Sequence, residues 1–284
     1  MGRDGRPLPE LKRLRHELKA RIWRRRGRIP GAFGFNAAKW LAIEAAIRSA
    51  HGGEYGREDA GIDERVVEYP WVFDRMSALD RPGNRVLDAG SALNHKRILD
   101  LWREARYPPV SIVTLAYEGV AHVSNDVRYE FADLRRLPYR DDWFSAVVCI
   151  STMEHVGLDT TIYGAAQEMP ADPATAVTEA MRELRRVTLP GGTLLLSVPF
   201  GLRSNRGWVR IFDADDLTGV TGHAAWSHVR SRFFRAGPRG WRECSPDDAR
   251  TAGYNEPPDR AGARTAPSHV AAAEAVALVE MTRR

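Results

Sequence analysis

The chain has 284 residues, which is enough to bury a full hydrophobic core in one large domain with additions or in two small domains. No apolar run approaches the roughly 18 to 20 residues that span a bilayer, and the N-terminus lacks the apolar core of a secretory signal. Cys149 and Cys244 lack the spacing of metal ligands. These features predict a cytoplasmic protein and argue against a disulfide-stabilised scaffold.

The first 28 residues form a strongly basic arm, with eleven Lys/Arg against three Asp/Glu and a net charge of +8, whereas the whole chain carries +5. The remaining chain is therefore slightly acidic, which disfavours nucleic acid as a partner. Leu11, Leu14, Leu18 and Ile22 recur at helical spacing, with Trp23 beside them. Such a basic amphipathic helix predicts contact with an anionic membrane surface, with the chain's own body or with a partner subunit, a second copy included.

Helical patterns follow the arm, and strands then alternate with helices. Helices are predicted over residues 35–50, 63–79 (interrupted by Pro70), 93–105 and 175–187, and strands over 85–89, 110–115, 127–131, 146–150, 193–198, 228–234 and 275–281. This alternation predicts an α/β fold with a doubly wound, mostly parallel sheet and an N-terminal helical extension. We divide the chain into an extension over residues 1–62 and a main domain over residues 63–284.

The segment from Arg85 to Asn94 is a short apolar strand, an acidic residue at its end, a glycine turn and the start of a helix. Glycine at such a bend lets a ligand approach backbone N–H groups at a helix N-terminus. The segment resembles the first motif of class I S-adenosylmethionine (SAM) methyltransferases.

Three later segments continue this resemblance in the family's order, over residues 130–144, 150–156 and 183–192. In the family, an Asp after the third strand accepts a hydrogen bond from the adenine amino group and the next backbone N–H serves a ring nitrogen. Asp133 and Leu134 match these two positions, and Glu154 with His155 resembles the Glu-His pair after the fourth strand. The likeness covers roughly residues 63–200 and implies a Rossmann-like methyltransferase fold with SAM as cofactor.

A narrower likeness, over residues 90–95, 113–116 and 154–163, is to a bacterial subgroup associated with glycan or glycolipid assembly and natural products. Ser91 and Asn94 replace glycines of the general family, which argues against a dinucleotide site. Glu118 is the nearest acidic candidate for the ribose hydroxyls. The resemblance implies a cofactor site made of Tyr69, Asp88, Gly90, Ser91, Asn94, Glu118, Asp133, Leu134 and Ser151. Asp88 could instead cap the turn, and Tyr69 could merely pack.

SAM presents a methyl group on a sulfonium, so transfer requires above all an acceptor held in line. A hydroxyl acceptor also benefits from a base, and a histidine with a pKa of about 6.5 suits that role. We therefore expect an O-methyltransferase in which His155 removes the hydroxyl proton and Glu154 or Asp159 orients the site. The polar, Arg- and Trp-bearing segment 201–270 suits a saccharide or glycolipid-type acceptor. The predicted acceptor residues are His155, Asp159, Tyr163, His223 and Trp226, and no metal cluster is visible.

Three alternatives stay open. The same fold could methylate another acceptor, such as a polyketide, a quinone, a peptide or an RNA base. A nicotinamide-dependent oxidoreductase is disfavoured by the missing glycines and by the Asp133 segment. A non-catalytic binding module, docked through the basic arm, would have no need of Asp88, Gly90, Asp133 and the Glu154–His155 pair together.

Overall fold

The computed structural model describes residues 8–50, 52–79, 84–161, 164, 172–222, 226–255 and 272–284, without the side chains of residues 8–10 and 272. The helices are α1 (Leu8–Arg25), α2 (Phe35–Ser49), α3 (Arg65–Leu79), α4 (Lys96–Glu104), α5 (Pro173–Val187), α6 (Ala214–Thr221) and α7 (Pro246–Ala249), with a 3-10 turn at Met153–His155. The strands are β1 (Val86–Ala89), β2 (Val110–Thr114), β3 (Val127–Phe131), β4 (Phe144–Ile150), β5 (Thr188–Pro199), β6 (Ser204–Asn205), β7 (Arg210–Ile211), β8 (Trp226–Gly237), β9 (Gly240–Cys244), β10 (Tyr254–Asn255), β11 (Ala272–Ala273) and β12 (Ala275–Arg283).

Eight strands form one sheet in the order β3-β2-β1-β4-β5-β12-β8-β9. The pairs from β3 to β5 are parallel, and β12, β8 and β9 extend the sheet with antiparallel pairs. Helices α2, α3 and α4 pack on one face, whereas α5 and α6 pack on the other. The predicted Rossmann-like, mostly parallel fold with flanking helices is confirmed.

Most predicted elements are present with ends shifted by a few residues. Pro70 lies inside α3. Residues 189–192 follow the end of α5 and belong to β5, where the pairing with β4 shifts register. The strand β9 was not predicted, because it is short and half polar.

The N-terminal extension packs on the main domain through α1 and α2. In α1, Ala20 and Trp23 are buried in the same core as α3, and the Trp23 indole donates to the carbonyl of Ile29 at 2.7 Å. Leu14 and Leu18, which belong to the predicted apolar stripe, remain exposed. Within the described residues, no helix combines the length and apolarity required to cross a membrane.

Trp241 joins the edge strand β9 to the segment that follows α2. Its buried indole donates to the carbonyl of Ile62 at 2.9 Å, and its own carbonyl accepts from the Arg57 N–H at 2.7 Å. The side chain therefore closes the core where the extension meets the antiparallel half of the sheet.

Replacing Trp241 by alanine should lower the free energy of unfolding by about 3–5 kcal/mol, because it leaves a large cavity and an unpaired carbonyl. Chemical denaturation measures this loss. Val229→Ala on the exposed face of the neighbouring strand is the matched control and should change stability by less than about 0.5 kcal/mol. Equal effects of the two changes would contradict this role for Trp241.

Candidate functional site

A cavity of about 460 Å³ lies at the carboxyl ends of the parallel strands. It opens where the strand order reverses between β1 and β4, the place at which open α/β sheets bind ligands. Its volume is in the range of small-molecule sites. The walls are the segments that follow strands β1 to β4, together with residues from α2, from α3 and from the segment 201–270. Among the predicted site residues, those lining it are Tyr69, Gly90, Ser91, Glu118, Asp133, Leu134, Ser151, Glu154 and His155.

Gly90 is a point at which two walls of the cavity pack closely together. Its φ is +119°, and a Cβ placed there would lie 2.0 Å from Oγ1 of Thr152. Its N–H donates to the Val113 carbonyl at 2.8 Å, and the Tyr69 hydroxyl holds the same turn by donating to the Ala92 carbonyl at 2.6 Å. Only glycine allows the turns after β1 and β4 to approach this closely.

Asp88 and Asn94 shape the loops around the cavity but do not line it. Asp88 is fully buried, and its Oδ2 accepts the Leu93 N–H at 2.7 Å, which matches the capping alternative from the sequence. Burial raises the pKa of this carboxyl to about 7 despite that bond. Asn94 donates to the Val120 carbonyl at 2.8 Å and accepts from the His122 N–H at 3.2 Å, so it ties down the segment after β2.

Two carboxylates stand at the ends of β2 and β3. Glu118 accepts hydrogen bonds from the hydroxyls of Ser91 at 2.6 Å and Thr114 at 3.2 Å, and thus bridges the first two turns. Asp133 is held by Arg135 at 2.7 Å, and the neighbouring Leu134 is a buried wall of the same cavity. The carboxylates expected on the ribose and adenine sides therefore lie along one continuous wall.

Glu68 lies beneath the cavity with both oxygens hydrogen-bonded. Oε1 accepts from the hydroxyls of Ser151 at 2.7 Å and Ser197 at 2.6 Å, and Oε2 accepts from Arg65 at 2.9 Å. This buried carboxylate fixes α3 to the ends of β4 and β5. The same carboxylate fixes the hydroxyl of Ser151, a residue with a φ of +41° in the sharp turn that follows β4.

The 3-10 turn after β4 brings Glu154 and His155 into the cavity wall. The Nδ1 of His155 lies 2.7 Å from the Trp208 carbonyl, and its ring stacks on the Trp208 ring with centroids 5.5 Å apart. A carbonyl can only accept, so this contact assigns the proton to Nδ1 and leaves the lone pair on Nε2. Nε2 is 4.0 Å from Glu154 Oε1. Burial holds the pKa of Glu154 well above its usual value.

Several wall residues were not found from the sequence. Lys39 and Trp40 come from α2, so the extension contributes directly to the cavity, and Trp40 stacks on His95 with ring centroids 3.5 Å apart. Trp208 and Tyr254 come from the segment 201–270, which follows β5. No motif marks these positions, because each is brought to the cavity only by the packing of distant segments.

The predicted acceptor residues do not all meet at this cavity. Asp159 accepts from the Thr161 N–H at 2.9 Å and hydroxyl at 2.6 Å, and it lies outside the wall. Trp226 is buried in a separate hollow between α5 and α6. Tyr163 and His223 lie outside the described residues. In the part of the chain that the structure describes, no group of three or more His, Cys, Asp or Glu side chains is arranged to hold a metal ion.

Comparison with known proteins gives one family match and several structural likenesses. Residues 104–196 match the family model described as "Methyltransferase domain". The cyclase SpnF is 19% identical, with 67% of this chain and 70% of that chain covered and a TM-score of 0.40. The YcgJ protein of Bacillus subtilis is 14% identical, with 74% and 96% covered and a TM-score of 0.44. The 1,6-didemethyltoxoflavin-N1-methyltransferase of Burkholderia thailandensis, solved with S-adenosylhomocysteine, is 15% identical, with 73% of each chain covered and a TM-score of 0.41.

The matched methyltransferase domain, the parallel sheet and the cavity at its switch point together have the architecture of the Rossmann-like methyltransferase fold. The domain match indicates S-adenosyl-L-methionine as the cofactor. The match begins in α4 and ends in β5, so it covers strands β2 to β4 and the motifs that follow them.

Gly90→Ala should weaken binding of S-adenosylhomocysteine by about tenfold or more, since overpacking of this kind costs about 1–3 kcal/mol. Isothermal titration calorimetry measures the affinity. Gly119→Ala is the matched control, because Gly119 also has a positive φ but no atom within 4 Å of the added Cβ. Unchanged affinity in a folded Gly90→Ala protein would show that this turn does not bind the cofactor.

Proposed function

We propose that the protein transfers a methyl group to a hydroxyl of a saccharide or glycolipid-type acceptor, with His155 as general base. The observation that carries this proposal is the contact between His155 Nδ1 and the Trp208 carbonyl at 2.7 Å. It holds the imidazole in the tautomer whose Nε2 can accept a proton, in the wall of the cofactor cavity.

The wall residues fit SAM, and we propose specific contacts for them. Gly90 allows the Thr152 side chain to pack directly on the first turn, and the backbone of that turn lies in the wall against which the cofactor would bind. Glu118 is suited to the ribose hydroxyls, whereas Asp133 and the backbone of Leu134 are suited to the adenine. Tyr69, Ser91 and Ser151 complete the proposed site, and Asp88 and Asn94 support it from behind.

When bound, SAM would supply an electrophilic methyl group on its sulfonium, with S-adenosylhomocysteine as the leaving group. Nε2 of His155 takes the proton of the attacking hydroxyl and becomes an imidazolium. Glu154, whose Oε1 is 4.0 Å from Nε2, orients the site beside the imidazole. The Trp208 carbonyl and ring hold the imidazole in place throughout.

The walls near His155 support a sugar-like acceptor. Trp208 and Tyr254 present aromatic surfaces, and their rings meet edge to face at 5.8 Å. Aromatic faces pack against the apolar faces of sugar rings while polar neighbours bind the hydroxyls.

There are two alternatives to this proposal. The acceptor could be another small molecule, such as a polyketide, a quinone or a peptide, or the protein could be a non-catalytic module of the same fold.

The basic arm supports a second proposal, peripheral contact with an anionic membrane. Leu14 and Leu18 on α1 are 42% and 58% exposed, and Phe33 beyond the helix is 58% exposed. Lys19 lies 5.9 Å from the centre of the Phe33 ring, so basic and apolar groups share this surface. Exposed apolar side chains among lysines and arginines are typical of helices that lie in a membrane interface. A second copy of the chain is the alternative partner.

His155→Ala should lower the turnover number about 100-fold or more while leaving the affinity for S-adenosylhomocysteine within about twofold. His155→Asn is the matched variant, because its amide can still donate to the Trp208 carbonyl but cannot act as the base. Both variants should lose turnover equally in an assay with labelled SAM and a saccharide acceptor. Near-normal turnover in either variant would remove His155 from the role of base.

The double change Leu14→Asp and Leu18→Asp should weaken binding to vesicles containing anionic lipid about tenfold or more, because it removes two apolar contacts and adds negative charge. Co-sedimentation measures the binding, which should also fall as salt is added. Val123→Asp, at an exposed position away from the arm, is the control. Loss of a dimer in size-exclusion chromatography, with no vesicle binding by the parent, would assign the surface to subunit contact instead.

A further inference from the structure

Three buried carboxylates in the cavity wall have oxygens without hydrogen-bond partners among the described residues. They are Asp63 at Oδ1, Glu64 at Oε2 and Glu154 at Oε2. Glu64 is 8% exposed and Glu154 is 2% exposed. An unpartnered carboxylate in such surroundings costs several kcal/mol when it is ionised, so each such group requires an explanation.

The surrounding cations do not match these carboxylates. The cationic side chains that line the described wall are Lys39 and Arg65; Lys39 is paired with Asp63, and Arg65 donates to Glu68 at 2.9 Å. Glu68 has both oxygens satisfied and is therefore structural. Glu64 and Glu154 remain without a cationic partner in this wall.

The cofactor can neutralise at most one of these two carboxylates. SAM carries a sulfonium, an ammonium and a carboxylate, and its net charge is therefore +1. Glu154 is next to His155, on the side of the cavity assigned above to the acceptor. Burial holds the pKa of Glu154 well above its usual value, so its ionisation in the SAM complex requires a second cation on that side.

The aromatic walls on that side also favour a cation. Trp208 and Tyr254 line the cavity together with the two carboxylates. The negative faces of aromatic rings attract ammonium groups, and the attraction grows when the pair is shielded from water. Carboxylates combined with aromatic rings are a typical environment for a bound amine.

We propose that Glu64 and Glu154 form a subsite for a positively charged amino group of the acceptor, which is therefore a hydroxylated amine of the amino-sugar or amino-alcohol type. This inference rests on the proposed O-methylation and narrows its acceptor class. The amine is bound as an ammonium ion and is not the atom that is methylated. Burial raises the pKa of Glu64 to about 8, so binding of the amine favours release of the proton that Glu64 holds at neutral pH.

The test uses pairs of ligands in which one member carries a positive charge and the other is neutral. Choline is compared with its neutral carbon isostere 3,3-dimethylbutanol, and glucosamine with glucose, by calorimetric titration of the full chain saturated with S-adenosylhomocysteine. The cationic member of at least one pair should bind about tenfold or more tightly than the neutral member. Glu64→Gln and Glu154→Gln should each remove that preference while the affinity for S-adenosylhomocysteine stays within about twofold. Glu58→Gln, at an exposed position outside the cavity, is the control and should retain it.

Three results would overturn the proposal. They are equal binding of charged and neutral ligands, no binding of either amine at millimolar concentration, and a fall in cofactor affinity as the main effect of the two Glu→Gln changes.

Mass spectrometry of the methylated product then separates this inference from the proposed function. Methylation of neutral hydroxyl acceptors as fast as of hydroxylated amines refutes the amine subsite alone, whereas methylation at nitrogen refutes O-methylation and retains the amine subsite.

Discussion

The site depends on Glu68, a fully buried carboxylate that joins α3 to the ends of β4 and β5. A charge without water is stable only when its hydrogen-bonding capacity is used, and here two serine hydroxyls and Arg65 use it. Removal of one partner from such a group typically costs about 3–5 kcal/mol. Helix α3 also carries Tyr69, which holds the turn after β1, and Glu64 lies just before the helix. The Glu68 interaction therefore positions both that turn and the proposed amine subsite.

The strand reversal between β1 and β4 provides the opening, and the contact of Gly90 with Thr152 determines how narrow it is. The polar groups around this opening differ in position. Asp88 and Asn94 hold loops behind the cavity, whereas Glu118 and Asp133 stand along its wall.

The N-terminal extension has two surfaces with different roles. Its inner surface buries Ala20 and Trp23 and delivers Lys39 and Trp40 to the cavity, so it is part of the site. Its outer surface exposes Leu14 and Leu18 among basic residues. Helix α1 packs on α2, and α2 supplies residues of the cavity wall. A membrane or a partner bound to this outer surface would therefore lie close to the cavity.

The sequence determined the alternation of strands and helices, the turn at Gly90 and the positions of Asp133, Glu154 and His155 after their strands, because each depends on residues that are close together in the chain. Tertiary structure decided that Asp88 caps a turn, that Asp159 and Trp226 lie outside the cavity, and that Lys39, Trp40, Glu64, Trp208 and Tyr254 line it. Those residues come from segments more than two hundred positions apart, and no local periodicity specifies which of their side chains will meet. Local patterns fix the elements, whereas the environment of a charge is set by whatever packs against it.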